Sequence, residues 1–361
     1  MNPAMVLQAL AVRALTAGSR YLVWVYFFSV LAVATPVRGQ APWTGAGVGL
    51  PAAEAVPAVA LTVGDMDRSL AFYTGVLPFV VEADTEVAGP EWERRTGVFG
   101  VRLRVVRLRL GEERLELAEY LAAATPGRPA PPDARSNDGW FQHVAIIVSD
   151  MDSAYARLRA HRVRSASTAP QLLPKSIPGA AGIRAFYFRD PDGHPLEILQ
   201  FPPDKGDSRW HSRRALFLGI DHTAIVVRDT ERSLAFYRDL LGFRVAGESR
   251  NQGVEQAHLN NVEGAELRIT GLRAPQGPSV ELLEYLQPLD GRTYPDDERA
   301  TDLIHWETMV QVRALAPVLA ALDSVGARVV SRPGVPARNP WQGGGVVVRD
   351  PDGHAVRLVN P

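Results

Sequence analysis

The sequence predicts an α+β protein built from four βαβββ units arranged as two tandem domains. Three observations carry this expectation. Arg68-Ser69-Leu70-Ala71-Phe72-Tyr73 recurs letter for letter at Arg232-Ser233-Leu234-Ala235-Phe236-Tyr237, and Arg189-Asp190-Pro191-Asp192-Gly193-His194 recurs at Arg349-Asp350-Pro351-Asp352-Gly353-His354. The offsets of 164 and 160 residues mark a tandem duplication. Within each half the same pattern passes twice: a short apolar run, a helical face, then strand-like stretches. A length of 361 residues accommodates about two domains.

The N-terminus differs in kind from the rest. Arg13 and Arg20 precede an uncharged run from Tyr21 to Ala34, and Val37-Arg38-Gly39 offers a cleavage site before Gln40. The run is short of the roughly 20 residues that a spanning helix prefers. Residues 1–39 therefore read as a signal peptide, with an uncleaved membrane anchor as the alternative; either places the folded part outside the cytoplasm, periplasmic or secreted. Residues 40–55, rich in Ala, Gly and Pro, read as a flexible leader. Domain one is expected over 56–203, a Pro-, Gly- and charge-rich linker over 204–216, and domain two over 217–361.

Unit one opens with Ala58 to Val63. Met66, Leu70, Tyr73 and Leu77 then fall on one helical face, with Asp65 or Asp67 as N-cap. Strands follow over Val101 to Leu110 and Leu115 to Leu121, with Gly111-Glu112-Glu113 as the turn. Unit two restarts at His143, runs through a helix to Leu158, and ends in strands from Ile183 to Phe188 and Pro195 to Phe201 around an Asp-Pro-Asp-Gly turn. Unit three begins at His222, with its helix at Leu234, Tyr237 and Leu241. Unit four begins near Glu307, carries Leu315, Val318, Leu322 and Val325 on its helix, and closes with Val346 to Arg349 and Ala355 to Val359. The loops Thr168 to Gly182 and Ser331 to Gly345 sit at matching places in units two and four and are candidate pocket rims.

Hydrophobic residues make up 46% of the chain and charged residues 22%, an ordinary globular composition. A formal net charge of −1 supplies no field that would draw nucleic acid. The absence of cysteine removes disulfides, thiolate metal sites and thiol nucleophiles together. No Ser-His-Asp set or phosphate-cradling glycine loop stands out.

The phrases His222-Thr-Ala-Ile-Val-Val-Arg-Asp229, followed by Ser-Leu-Ala-Phe-Tyr, and Asp190-Pro-Asp-Gly-His-Pro-Leu-Glu197 resemble the vicinal oxygen chelate superfamily (glyoxalase, bleomycin resistance protein, extradiol dioxygenase) over roughly residues 56 to 361. The resemblance implies that two βαβββ units pair into an eight-stranded cup with helices outside. It also implies ligands at two places in each unit. One opens the first strand, seven residues before the Asp that starts the helix; the other lies in a Leu-Glu-Leu phrase on the last strand. The first position holds Ala58, His143, His222 and, in unit four, Glu307, with His305 as a competitor two residues earlier. The second holds Glu116, Glu197, Glu281 and Arg357. Period two turns each of these into the cup while its apolar flanks face the helices, and a carboxylate there is costly unless it is paired or bound to a cation.

Two pairings are open. Neighbouring units give Glu116, His143 and Glu197 in one cup and His222, Glu281 and Glu307 in the other. Crossed units give a complete set, His143, Glu197, His222 and Glu281, from units two and three, leaving Glu116 and Glu307 as a secondary pair beside Ala58 and Arg357. One intact and one decayed site is the simpler history and favours the crossed arrangement. Two imidazoles and two carboxylates suit a divalent Zn, Ni, Co, Mn or Fe, with Glu197 and Glu281 as candidate proton carriers.

Bland readings stand beside these. His143 and His222 could be half-buried structural histidines, although the matched repeat positions favour ligands. Glu116 could pair with Arg102, Arg104, Arg107 or Arg109. His194 and His354 read as turn structure, and the Phe-Tyr pairs as core. Trp140, Trp306 and Trp341 could line a pocket or cap a sheet edge. The resemblance then implies an exported glyoxalase-like isomerase or lyase, metal-dependent, acting on a small substrate through vicinal oxygens. The alternatives are an extradiol-type dioxygenase, weakened by Arg357 and Glu307, and a non-enzymatic binder. No nucleic-acid partner, no membrane contact after signal cleavage and no obligatory oligomer are expected.

Overall fold

The computed structural model describes residues 53–123, 126–332 and 344–360. The N-terminal segment read as a signal peptide, most of the leader, the loop beyond Arg332 and Trp341 lie outside them. The four apolar runs form the opening strands of the units, Val59–Val63, Gln142–Val148, Phe217–Val227 and Trp306–Val312. They are buried almost throughout, because helices cover one face and a cup interior the other, which explains their near-continuous apolar character.

Each opening strand turns at an N-cap into a helix. The Asp65 carboxylate accepts from Arg68 N, Asp150 from Ser153 N and Asp229 from Arg232 N. In unit four Ala314 occupies the cap with the same extended backbone but no side-chain bond, and the residue that would donate is Pro317, so cap and donor are missing together. The closing strands are Glu113–Ala122, Pro195–Gln200, Ser279–Gln287 and Ala355–Val359. Each runs parallel to its own opening strand.

Among the described residues there are two nine-stranded sheets, and each draws on both halves of the chain. In one, Gln142–Val148 of unit two pairs antiparallel with Phe217–Val227 of unit three. In the other, Val59–Val63 of unit one pairs antiparallel with Trp306–Val312 of unit four. The crossed pairing is therefore the one the chain adopts. The hydrophobic cores run the other way. Phe72, Tyr73, Leu115 and Leu117 of unit one share a core with Phe186, Phe188, Leu196 and Ile198 of unit two; Phe236, Tyr237, Val280 and Leu282 of unit three share one with Val310, Val318, Val356 and Leu358 of unit four. In these two largest cores every unit thus packs against a unit other than its sheet partner, while a third core, with Phe141, Leu173 and Tyr187 of unit two and Ala224, Leu259 and Leu283 of unit three, fills the cup between sheet partners.

The repeated phrases meet along these core seams. The Tyr73 hydroxyl donates to Asp190 Oδ2 at 3.1 Å, and Tyr237 to Asp350 Oδ2 at 3.0 Å. Gly193 and Gly353 adopt φ of 98° and 105°, the left-handed region that a side chain disfavours, so the turn requires glycine. His194 bridges Asp190 Oδ2 and the Leu303 carbonyl, both at 2.7 Å, and His354 Nε2 lies 2.8 Å from the Val226 carbonyl. Both histidines are structural.

Two segments expected to be featureless carry structure. Ala53–Ala55, placed in the leader, pairs with the opening strand of unit four, because Ala53 fits against the second core. Within the 204–216 linker, Ser208–His211 forms a helical turn that buries Trp210, and unit three's strand starts at Phe217 rather than His222. Glu113, read as a turn residue, is the first residue of a closing strand and accepts from Ile220 N at 3.0 Å and Arg209 Nη1 at 2.6 Å.

Candidate metal centre and its altered counterpart

In the cup of units two and three, period two places Leu196 and Ile198 in the core and turns Glu197 to the interior, and does the same for Glu281 between Val280 and Leu282. His143 projects from the neighbouring opening strand of unit two, and His222 from that of unit three. Glu197 Oε2 lies 3.2 Å from His143 Nε2 and 3.6 Å from His222 Nε2. Glu281 Oε2 lies 3.4 Å from His222 Nε2. Ligand-type atoms of His143, Glu197 and His222 all fall within 4.8 Å of one another, the sole such cluster of three among the described residues. The structure brings all four predicted residues together; Glu281 stands at the side, with 28% of its side chain exposed against 5% for Glu197.

A test of fit comes from His143. It is 1% exposed, and neither ring nitrogen has a hydrogen-bond partner among the described residues. Its ring packs 4.8 Å from that of Tyr187 and 5.6 Å from that of His222. A buried imidazole left so is costly, and two imidazoles with a carboxylate are a donor set that divalent transition metals accept. The residues fit a cation.

His222 is oriented by a residue the sequence reading missed. Its Nδ1 lies 3.1 Å from Asp221 Oδ2, and Asp221 in turn accepts from Trp210 Nε1 at 2.8 Å. A bulge between Ile220 and His222 lets consecutive residues line the same cavity. A carboxylate on the far nitrogen of a ligand histidine fixes its tautomer and ring orientation. The adjacency Asp221-His222 was the available signal, and the bulge that makes it useful has no mark in the sequence.

Without a cation the charges lean on one another. Burial opposes the His222 cation, but Glu281, Asp221 and Glu197 outweigh it and raise its pKa well above the ordinary value. Burial likewise works against the Glu197 carboxylate, yet His143 and His222 hold it below its usual range. Glu281 is pushed up by loss of solvent and by Glu197, against the pull of His222. The cavity at this centre, about 130 Å³, is lined by Leu173 and Ala180 of the Thr168–Gly182 loop and by Asn251 and Gln256 of unit three. That loop does form a rim. Trp140 and Trp306 do not line this cavity but do line a smaller one of about 20 Å³, where Trp140 sits under Arg292 and Trp306 against His194.

The cup of units one and four has the same frame and a different filling. Ala58 occupies the first ligand position and is buried. Arg357 lies between the predicted secondary pair, with Nη2 2.9 Å from Glu116 Oε1 and Nε 2.6 Å from Glu307 Oε2. Glu116 therefore pairs with an arginine from unit four; Arg104 and Arg109, two of the partners weighed for it, bind Asp84 and Glu82 instead. His305 and Glu307 share the strand face, His305 lying 2.7 Å from Glu298 and 3.1 Å from Glu307. Burial disfavours the His305 cation, but Glu298 and Glu307 push its pKa up to about 9. A guanidinium thus supplies the positive charge that a cation would bring to such carboxylates.

Sequence comparison agrees with the architecture. The family model for the Glyoxalase/Bleomycin resistance protein/Dioxygenase superfamily matches residues 55–198 and 219–358. A 2-epi-5-epi-valiolone epimerase from Actinomyces sp is 35% identical over 160 residues, covering 43% of this chain and 84% of that protein. The uncharacterized protein YaeR of Escherichia coli is 26% identical over 143 residues, covering 39% of this chain and 92% of that protein. Among solved structures, glyoxalase I from Zea mays superposes with a TM-score of 0.56 at 16% identity, over 85% of this chain and 92% of that one, a likeness of fold. The chain belongs to the Glyoxalase/Bleomycin resistance protein/Dioxygenase superfamily, with two matches in tandem that together span most of its length.

Proposed function

We propose that the cup of units two and three is the centre of a metal-dependent isomerase or epimerase acting at a carbon beside a carbonyl. The observation that carries this reading is His143, buried with no hydrogen bond at Nδ1 and with Nε2 3.2 Å from Glu197, its ring facing His222. His143, His222 and Glu197 would hold the cation. When bound, the cation supplies Lewis acidity to two neighbouring substrate oxygens and so favours loss of the proton between them.

The remaining work belongs to side chains. Asp221 holds His222 in one orientation, and Tyr187 packs the His143 ring in place. Glu281 lies beside the cluster, open enough to meet substrate, and takes the proton from the carbon next to the carbonyl, leaving the electron pair on the carbonyl oxygen. Return of that proton from Glu281 to the former carbonyl carbon, with the adjacent hydroxyl losing its own proton to become the new carbonyl, gives an isomer; delivery of a proton from water to the opposite face of the original carbon, with Glu281 releasing its proton to solvent, gives an epimer. Asn251 and Gln256 make that wall polar, held in a hydrogen-bonded chain from Asn251 through Gln256 and Asn260 to Tyr285, in keeping with a hydroxylated substrate. The relative named an epimerase of a valiolone supports this substrate class. Ring cleavage of catechols has less support, since Arg357 fills the last-strand position of unit four.

The test is solvent exchange. Zinc-loaded protein in D₂O with 2-epi-5-epi-valiolone is expected to replace the hydrogen beside the carbonyl with deuterium, read by NMR. Glu281→Gln should slow exchange by about 10²-fold or more while keeping its zinc. Absence of exchange in the wild-type protein, or full exchange in Glu281→Gln, contradicts the proposal.

A further inference from the structure

We infer that the cup of units one and four is a second ligand site, independent of the first, which takes a small organic carboxylate on Arg95. The helix Pro90–Thr96, inserted between the strands of unit one, carries this arginine to the cup. Arg95 is 3% exposed, and its Nε and Nη1 have no hydrogen-bond partner among the described residues. Its guanidinium lies 4.1 Å from the ring centroid of Trp92 on the same helix and makes no salt bridge among the described residues. A cation buried this way needs an anion, because a ring face does not replace the hydrogen bonds lost to water.

Glu307 and Glu116 lie near enough to attract it, but neither forms a salt bridge with it. Arg357 lies between Glu116 and Glu307, Arg349 pairs with Glu298, and His305 lies between Glu298 and Glu307. Each of these carboxylates is salt-bridged to another cation, and none to Arg95.

A cavity of about 310 Å³ opens directly on this arginine. Thr301 lines it too, and its buried Oγ1 also has no hydrogen-bond partner among the described residues. The lining thus includes a guanidinium edge and a hydroxyl without partners, which suit a single carboxylate, and apolar surface from Val98, Val347 and Phe99, the last 76% exposed; Glu298 and Glu307 also line it, each already in contact with another cation. A carboxylate head on an apolar body matches both kinds of surface, and the volume lies at the small end of ordinary ligand sites. The first cup offers a different chemistry, imidazoles and carboxylates with no arginine on its cavity.

Titration calorimetry of the full chain with benzoate, at constant ionic strength and with benzamide as the neutral counterpart, tests the assignment. Benzoate is expected to bind saturably and benzamide not to bind. Arg95→Gln should weaken benzoate by about tenfold or more, and Thr301→Val by about threefold, which keeps the test decisive should the arginine variant fail to fold. His143→Ala should bind benzoate as the wild type does, which separates this site from the first cup and makes the result independent of the function proposed there. No saturable benzoate binding, equal binding of benzamide, unchanged affinity in folded Arg95→Gln or in Thr301→Val, or loss of binding in His143→Ala would each overturn the inference.

Discussion

At the scale of single residues, two cups with one frame differ through a few side chains. Where one has Glu197 and His222, the other has Arg357 and Ala58, and the guanidinium spans Glu116 and Glu307. Burial opposes the charge on Glu307, but Arg357 beside it, with His305 and Arg95, holds its carboxyl well below the ordinary range. Removing the arginine leaves two buried acids facing each other. Arg357→Met should therefore lower stability by about 3–5 kcal/mol, and adding Glu116→Gln and Glu307→Gln should recover most of it; denaturant unfolding of the three proteins checks both steps. An unchanged midpoint in Arg357→Met would mean that the guanidinium is not what neutralises this cup. The last-strand glutamates and the Val356-Arg357-Leu358 exception were legible because alternation fixes which side chain enters a cup. Asp221, Trp210 and Arg95 were not. A bulge, a folded linker and a helix inserted between strands bring them in, and none of these changes the local hydrophobic period.

At the scale of elements, the two phrases repeated letter for letter prove to be partners of each other. Tyr73 and Tyr237 from the helices reach Asp190 and Asp350 in the turns, clamping unit one to unit two and unit three to unit four. Sequence identity marked them as important, yet it could not say that they touch, since their contact spans 117 residues in one half and 113 in the other. Tyr73→Phe and Tyr237→Phe should each cost about 1–2 kcal/mol and add in the double variant, because the two clamps share no partner. The Asp190 turn also sets a pH dependence. Burial raises the cost of its carboxylate, but the His194 ring, its backbone N–H and the Tyr73 hydroxyl hold the pKa below the ordinary value. Burial lowers the His194 pKa, but Asp190, Asp192 and the Leu303 carbonyl raise it overall. A depressed acid contributes stability above about pH 4 that is lost as pH falls; a raised histidine contributes below about pH 6.5 and loses it as pH rises. Facing this pair are Tyr73, Asp192 and Arg68, the last paired to Asp192. Melting temperature should decline on both sides of that window, and Asp190→Asn should flatten both limbs; parallel profiles for the two proteins would contradict the assignment.

At the scale of the whole molecule, the four units form a closed circuit. Sheets join two to three and four to one, while the two largest cores join one to two and three to four. The number of units and their order were readable from periodicity and repeats. The pairing was not readable from the strands, since each opening strand is apolar on both faces and fits either neighbour; only the inventory of ligand residues favoured the crossed arrangement that the chain adopts. The consequence for function is that the candidate centre belongs to neither half alone: His143 and Glu197 come from the first, His222 and Glu281 from the second. Metal content of the purified full chain, loaded with zinc and freed of excess by gel filtration, measures this most directly when compared with His143→Ala and His222→Ala. The account predicts about one ion per chain in the wild type and near-complete loss in each single variant, as expected when two ligands of one site are removed separately. Two ions per chain with each variant keeping half, or no tightly held ion in the wild type, would contradict it.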